Sequence, residues 1–484
     1  MPYDLTTIGG IFALIVHLLI TLWALYTLIK DGSRPERVWA WIMVILFLPF
    51  VGAMFYGFFG MNLRKKKLFD LKQAIDEQQL QNFIDTYSAE AEQIIAKGGD
   101  ITKDYIHLIR LLTRTSNSLI TFHNKVTILN DGPDTFEAIF KACQQATQFI
   151  HLQYYIYIDG DLADRFLELF ERKIKEGVEV RLIYDGLGSW DFSNRNVRKY
   201  REAGVKLFPF MPIRFGKLAR VNYRNHRKIL VVDGKVGFTG GINVDDKYIH
   251  GDPALGHWTD THLQVDGMGV NFLHFVFLTD WLFVSGENLI NRSAYKELPE
   301  MGNTPMQIVA SGPDTDYPGI LQQYLYILYG AKDYVYIVNP YIIPDATLSM
   351  ALKSVAMSGV DVRIVVPANS ESKSIHWTVR SYFGRFLKAR VKIYLYREGF
   401  IHSKVLISDD RVCSIGTANM DIRSFEQNFE VNALMYDPKV TLDMKAQFED
   451  YLSRSDLLTL EQHDKRSTSD RVKERLARLF SPLM

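Results

Sequence analysis

The chain has 484 residues, long enough for two or three domains. Its 56 Lys and Arg balance 55 Asp and Glu, which argues against a strongly basic nucleic-acid binder. Two cysteines, Cys143 and Cys413, are too few for a disulfide framework or a Cys-rich zinc site.

The first 60 residues are nearly all apolar. Ile8 to Ile29 is one uncharged stretch interrupted only by His17, and a helix needs about 20 apolar residues to cross a bilayer. Val38 to Phe59 is a second such stretch. Its Pro49 and Gly52 are tolerated where neighbouring groups re-satisfy the backbone, and Trp39, Trp41 and Tyr56 suit the interfacial zone. The polar connector Lys30 to Arg37 joins the two, so a transmembrane hairpin is expected over 1–67, with spans at about 8–29 and 38–59. A cleaved signal peptide fits poorly, because no basic segment precedes the first stretch and the apolar run is too long. Five cations follow the second span (Arg64, Lys65, Lys66, Lys67 and Lys72) against three in the connector (Lys30, Arg34, Arg37). The positive-inside rule then favours a cytoplasmic catalytic part and a multi-pass cell-membrane protein. Residues 68–120 read as a polar helical connector.

The rest alternates strand-like and helix-like stretches, which predicts an α/β fold. Phe149 to Tyr157, Gly177 to Ile183 and Val205 to Phe208 are matched by Tyr334 to Val338, Gly359 to Val365 and Val391 to Tyr394. His226-Arg-Lys228-Ile-Leu-Val-Val-Asp233 is matched by His402-Ser-Lys404-Val-Leu-Ile-Ser-Asp409, and each is followed by Gly and Asn at one spacing: Gly240 and Asn243, Gly416 and Asn419. A repeat of about 180 residues is too long for a solenoid and fits a duplicated domain, here 121–300 and 301–484. Two such halves can pack face to face and line one cleft.

On a strand, alternate residues share a face. His226 and Lys228 then project together, as do His402 and Lys404, with Arg227 turned away. Fixed ammonium groups stabilise charge that develops on a phosphodiester. A neutral imidazole can attack phosphorus, giving a phosphoryl-histidine, while a protonated one serves the leaving oxygen. No carboxylate cluster suggests a metal, and no cofactor is implied. An attacking His needs an acceptor on its far nitrogen. We expect Glu430 to orient His402 and Asp260 to orient His226. Asp233 and Asp409, carried among the catalytic candidates, each sit at a strand-to-turn junction, where holding the turn through backbone hydrogen bonds is an equal claim on them.

The paired His-x-Lys-x4-Asp-x6-Gly-x2-Asn pattern resembles the phospholipase D superfamily. With the N-terminal hairpin, the segment order and the Ser481-Pro-Leu-Met484 tail, the chain is similar to bacterial cardiolipin synthases over nearly its full length. The resemblance implies two pseudo-symmetric α/β/α domains of phospholipase D type sharing one active-site cleft. It also implies a membrane enzyme that converts two phosphatidylglycerols into cardiolipin and glycerol through a phosphatidyl-histidine. Asn243 and Asn419 would help bind the phosphate, and His226, in the first copy, would be the attacking group. Thr417 and Gly241 stand where many relatives carry Ser or Gly, a departure expected to bear on fine binding only. A phosphodiesterase or a transferase using another alcohol is the competing reading, and a scaffold on a decayed site is a third. Neither motif is spoiled, which argues against decay.

Elsewhere, Arg214, Lys217, Arg220, Arg224 and Arg227 form a basic run that suits either a solvated loop or anionic headgroups. Val270 to Val284 reads as a core helix, being short for a span. His151, His250, His262 and His376 lack a Lys partner and are expected to be structural or on the surface. Asp470 to Phe480 is basic and amphipathic and is expected to pack on its own domain.

Overall fold

The computed structural model describes residues 8–30, 35–48, 52, 56, 100–212, 222–290, 298–479 and 481. Two compact units are present: residues 1–75 with 213–222, and residues 76–212 with 223–484. In the first unit, helix Ile8–Lys30 contains a 19-residue segment, Gly9–Thr27, of mean hydropathy 2.0. Among the described residues it is the one helix long and apolar enough to cross a bilayer. A second helix, Pro35–Phe47, covers the start of the other expected span, where Trp41 and Tyr56 meet edge to face. Apart from Leu48, Gly52 and Tyr56, the rest of that span, the basic residues 64–72, most of the connector and the loop cations Arg214, Lys217 and Arg220 lie outside the described residues.

The second unit holds both repeats. The first contributes β1 (Ile120–Asn130), β2 (Phe149–Tyr154), β3 (Glu179–Asp185), β4 (Lys206–Phe210), β5 (Ile229–Val232), β6 (Val236–Gly240), β7 (Trp258–Thr259) and β8 (Thr261–Asp266). The second contributes β9 (Thr304–Ser311), β10 (Tyr334–Val338), β11 (Ile342–Ile343), β12 (Asp361–Pro367), β13 (Lys392–Tyr396) and β14 (Phe400–Ile401). It continues with β15 (Val405–Ser408), β16 (Val412–Gly416), β17 (Met420–Asp421), β18 (Glu430–Met435) and β19 (Ser455–Leu458). Among the described residues, fifteen strands form one sheet in the order β19-β13-β12-β10-β15-β16-β18-β9-β1-β8-β6-β5-β2-β3-β4. The two halves of that order mirror each other about the antiparallel pair β1–β9, apart from the added edge strand β19.

Each half follows from its sequence pattern. β2, β3 and β4 run parallel, as do β10, β12 and β13, because helical crossovers join them: Asp161–Lys175 and Asn194–Glu202 in one half, Ala346–Met357 and Lys373–Lys388 in the other. Burial along nearly all of β2, β3 and β10 suits strands covered on both faces. β5–β6 and β15–β16 are hairpins. Both turns have two consecutive positive-φ residues, Asp233-Gly234 and Asp409-Asp410, the geometry that matches strand twist. The stretch 270–284 forms helix Gly269–Ser285, with Val270, Leu273, Phe277 and Trp281 fully buried. His151 and His262 are in the core and His250 is exposed.

The C-terminal helix Thr468–Leu479 does pack on its own unit, but the one residue it buries is a carboxylate. Glu474 is buried against Arg466 at 2.9 Å, whereas Val472, Leu476 and Leu479 are exposed.

Candidate active site

His226 and His402 line one cavity of about 450 Å³ inside the second unit, together with Asn243 and Asn419. The sequence pattern suggests that each His-x-Lys lies within a strand. Instead both lie just before one, ahead of β5 and β15. The reason is a pairing between the repeats. Asn225 bridges Phe429 in parallel, and the His226 N–H donates to the Phe429 carbonyl at 2.9 Å. Symmetrically, β14 pairs parallel with β7, and the His402 N–H donates to the Thr259 carbonyl at 2.7 Å.

This pairing corrects the expected partners of the histidines. The residue after Phe429 is Glu430, and the residue after Thr259 is Asp260. Each histidine therefore meets the acid of the other repeat. His226 Nδ1 is 2.9 Å from Glu430 Oε2, and His402 Nδ1 is 2.8 Å from Asp260 Oδ2. Both carboxylates are fully buried. With Nδ1 against a carboxylate, its proton sits there and Nε2 keeps its lone pair for the cavity.

The two acids are not equivalent. Glu430 Oε2 also accepts from the Thr417 hydroxyl at 2.5 Å. Burial pushes Glu430 up, but His226, Lys228 and Thr417 outweigh it and hold the carboxyl below its ordinary value. At the matching place in the first repeat stands Gly241, and a Cβ there would be 2.0 Å from Asp260 Oδ1. Asp260 occupies that space, accepts from the Thr261 N–H at 2.8 Å, and is pushed up by burial against the pull of Lys404. The Thr417/Gly241 difference thus acts on the orienting acids rather than on fine binding.

Lys228 and Lys404 are completely buried, and each donates to the carbonyl of its own His, Lys228 at 2.7 Å. Burial lowers Lys228 to about 7, with Lys404 adding to the effect and Glu430 opposing it. Burial lowers Lys404 to about 8 against the pull of Asp260 and Glu430. Burial also holds His226 down at about 4 and His402 well below the usual value. Both rings are therefore neutral at neutral pH, and the cleft can gain protons when an anion enters.

Asp233 and Asp409 are corrected from catalytic candidates to turn-holding residues. Asp233 accepts from the backbone N–H groups of Thr147, Gln148 and Phe149 and from the Thr147 hydroxyl, all at 2.8–2.9 Å. Asp409 accepts from the N–H groups of Lys332, Asp333 and Tyr334 at 2.8–3.0 Å. Each carboxylate pins the start of β2 or β10 at the end of β5 or β15 away from the histidine. At about 3.3 Å per residue the seven-residue separation is roughly 20 Å.

Asn243 Oδ1 accepts from the Ile156 N–H at 3.1 Å, whereas Asn419 Oδ1 has no hydrogen-bond partner among the described residues. The basic run meets neither expectation where it is described. Arg224 is paired with buried Asp185 at 3.2 Å and Arg227 with buried Asp280 at 2.7 Å. Sequence reasoning missed Tyr248. Its hydroxyl accepts from Asn243 Nδ2 at 3.1 Å and lies 3.3 Å from His402 Nδ1. The repeat gave no signal for it, since its counterpart is Ser424.

A family model described as cardiolipin synthase, PLD-like domain, matches residues 139–255 and again 324–452. A phospholipase D-nuclease N-terminal model matches residues 19–60. A cardiolipin synthase of Halalkalibacterium halodurans is 39% identical, covering 94% of this chain and 90% of the relative. The chain belongs to the cardiolipin synthase family. The major cardiolipin synthase ClsA of Bacillus subtilis is 36% identical over 99% of this chain and all of its own length. The crystal structure of phosphatidylserine synthase from Haemophilus influenzae Rd KW20 aligns with a TM-score of 0.58 at 15% identity, covering 78% of this chain and 98% of that one, which shows a shared fold. The double match is the duplication read from the repeated motifs, and the N-terminal match and apolar helix point to membrane association.

Proposed function

We propose that the chain transfers a phosphatidyl group from one phosphatidylglycerol to a second, giving cardiolipin and free glycerol through a phosphatidyl-histidine. Cardiolipin synthase activity rests on the family. The covalent route is supported by one observation: two imidazoles, each held at Nδ1 by a buried carboxylate, face a single cavity beside two buried lysines. His402 takes up a proton on Nε2 as the anionic phosphodiester enters; His226 Nε2 then attacks phosphorus, and the glycerol oxygen leaves with that proton from His402. The terminal hydroxyl of the second phosphatidylglycerol then gives its proton to His402 and attacks phosphorus, and His226 departs. Lys228 and Lys404 offset charge on the phosphoryl oxygens, and Asn243 and Asn419 hold the phosphate. His226 is favoured as nucleophile because Glu430, kept ionised, supports the cationic ring formed on phosphorylation.

The catalytic unit is proposed to face the cytoplasm behind a two-span hairpin. A reporter fused at the C-terminus that worked only outside the cytoplasm would reverse that orientation. For the reaction, purified protein is incubated with phosphatidylglycerol alone and the lipids are weighed by mass spectrometry. Cardiolipin with equimolar glycerol is expected, and phosphatidic acid without cardiolipin sinks the transferase reading. Acid-quenched protein from phosphorus-labelled lipid should carry label on His226; label on His402 reverses the roles.

A further inference from the structure

The C-terminal helix Thr468–Leu479 buries one residue, a carboxylate, and none of its leucines or valine. Its carboxylate Glu474 is sealed inside against Arg466, and its apolar residues Val472, Leu476 and Leu479 stand 48%, 56% and 73% exposed. Positions i, i+4 and i+7 share one helical face, so these three form a stripe. A groove of about 350 Å³ lies between this helix and helix Lys373–Lys388. Six cations line it against two carboxylates, Asp464 and Glu474, and both carboxylates are within reach of Arg466. Among the described residues no carboxylate pairs with Arg385, Lys388 or Arg475. A helix that buries a single carboxylate and leaves an aliphatic stripe in water beside unpaired cations lacks the partner that would satisfy both.

We propose that this helix is an interfacial anchor: the stripe enters the acyl boundary of an anionic bilayer, and the groove takes a lipid phosphate. Charge complementarity selects the partner, because an apolar protein surface would satisfy the stripe and leave Arg385, Lys388 and Arg475 unpaired. An anionic lipid surface satisfies both features together. The anchor is separate from the catalytic cavity, whose lining shares no residue with the groove. It holds whether or not the phosphatidyl-transfer route is right.

The test uses the full chain with Leu476→Cys carrying an environment-sensitive dye; Cys143 and Cys413 are buried and do not compete for label. The protein is reconstituted in phosphatidylcholine bilayers with and without phosphatidylglycerol. With phosphatidylglycerol the dye should shift to the blue and be quenched by lipid-borne quenchers, and high salt should reverse both. Adding Arg385→Gln and Arg475→Gln should weaken the dye response about fivefold per cation removed, while turnover in detergent micelles stays unchanged as the check on folding. A dye that stays in water on both bilayers overturns the proposal. So does a shift that depends on protein concentration but not on lipid charge, which would mark a contact between copies.

Discussion

Crossing of the acids between repeats makes a prediction that does not depend on which histidine attacks. Glu430→Gln keeps the shape of the side chain and an oxygen for His226 and Thr417 but removes the charge. What the substitution weakens is a 2.9 Å charge-assisted hydrogen bond to a carboxylate with no solvent exposure. Such bonds contribute about 1.5–3 kcal/mol, so kcat should fall roughly 10- to 150-fold, and more if the wrong ring tautomer becomes populated. The assay compares phosphatidylglycerol with a phosphatidyl ester of p-nitrophenol in single turnover. Nitrophenolate departs without a proton donor, so variants damaged in the acid recover on that substrate and variants damaged in the nucleophile do not. Glu430→Gln should behave like His226→Ala, and Asp260→Asn like His402→Ala. Exchanging the two chemical roles exchanges which set recovers but not the membership of the sets. If Glu430→Gln grouped with His402→Ala, the crossed pairing would be wrong.

The buried lysines set a pH dependence. With Lys228 near 7 and Lys404 near 8 in the substrate-free cleft, kcat/KM should fall as pH rises through that range, and kcat should fall at higher pH because bound phosphate raises both; a flat kcat/KM to about pH 9 would count against it. For stability, the folded Lys228 value lies below its ordinary 10.5, so the unfolded chain binds more protons between about 7 and 10.5 and the cost is greatest below that window. Lys228→Met should therefore raise Tm more at acid than at alkaline pH while abolishing turnover, and an equal gain at both would refute the burial argument. Asp233→Ala should cost about 2–4 kcal/mol, because it leaves the donors of Thr147, Gln148 and Phe149 without their acceptor and puts an alanine at positive φ. The kcat of the folded fraction should stay nearly intact, and urea unfolding and active-site titration separate the two effects. Gly241→Ala should displace Asp260 and lower activity about as far as Asp260→Asn, which parallel kcat measurements would decide.

The duplication and α/β class were legible because the matched strings carry their own local physics: apolar strands, a crossover helix and a turn. The His-x-Lys pairs were legible as types for the same reason. Their acids were legible as residues but not as partners. Asp260 is far nearer His226 in sequence than His402, from which it is separated by 142 residues, yet His402 is the ring it touches. Such pairing between repeats leaves no local mark. Asp233 and Asp409 show the reverse case. Their place in a motif drew attention to chemistry, while their place in a turn with positive φ already described what they do.

The crossed pairing also limits how the two halves can work. Each imidazole is placed by a backbone bond to a residue of the other half, Phe429 or Thr259, and sits against the carboxylate of the residue that follows it. Sliding the halves along β1–β9 would disturb both dyads at once, so neither half holds a competent histidine alone. On the proposed route a symmetric duplicate would still fail in one respect, since that route needs one ring to attack while the other carries a proton. The symmetry is broken at the acids. Thr417 adds a donor to Glu430 and favours its charge, whereas Gly241 admits Asp260 into a site that opposes its charge. Environments that push two like groups apart are how one cleft assigns two roles. On the proposed route, a single hydroxyl and a single missing side chain make that assignment.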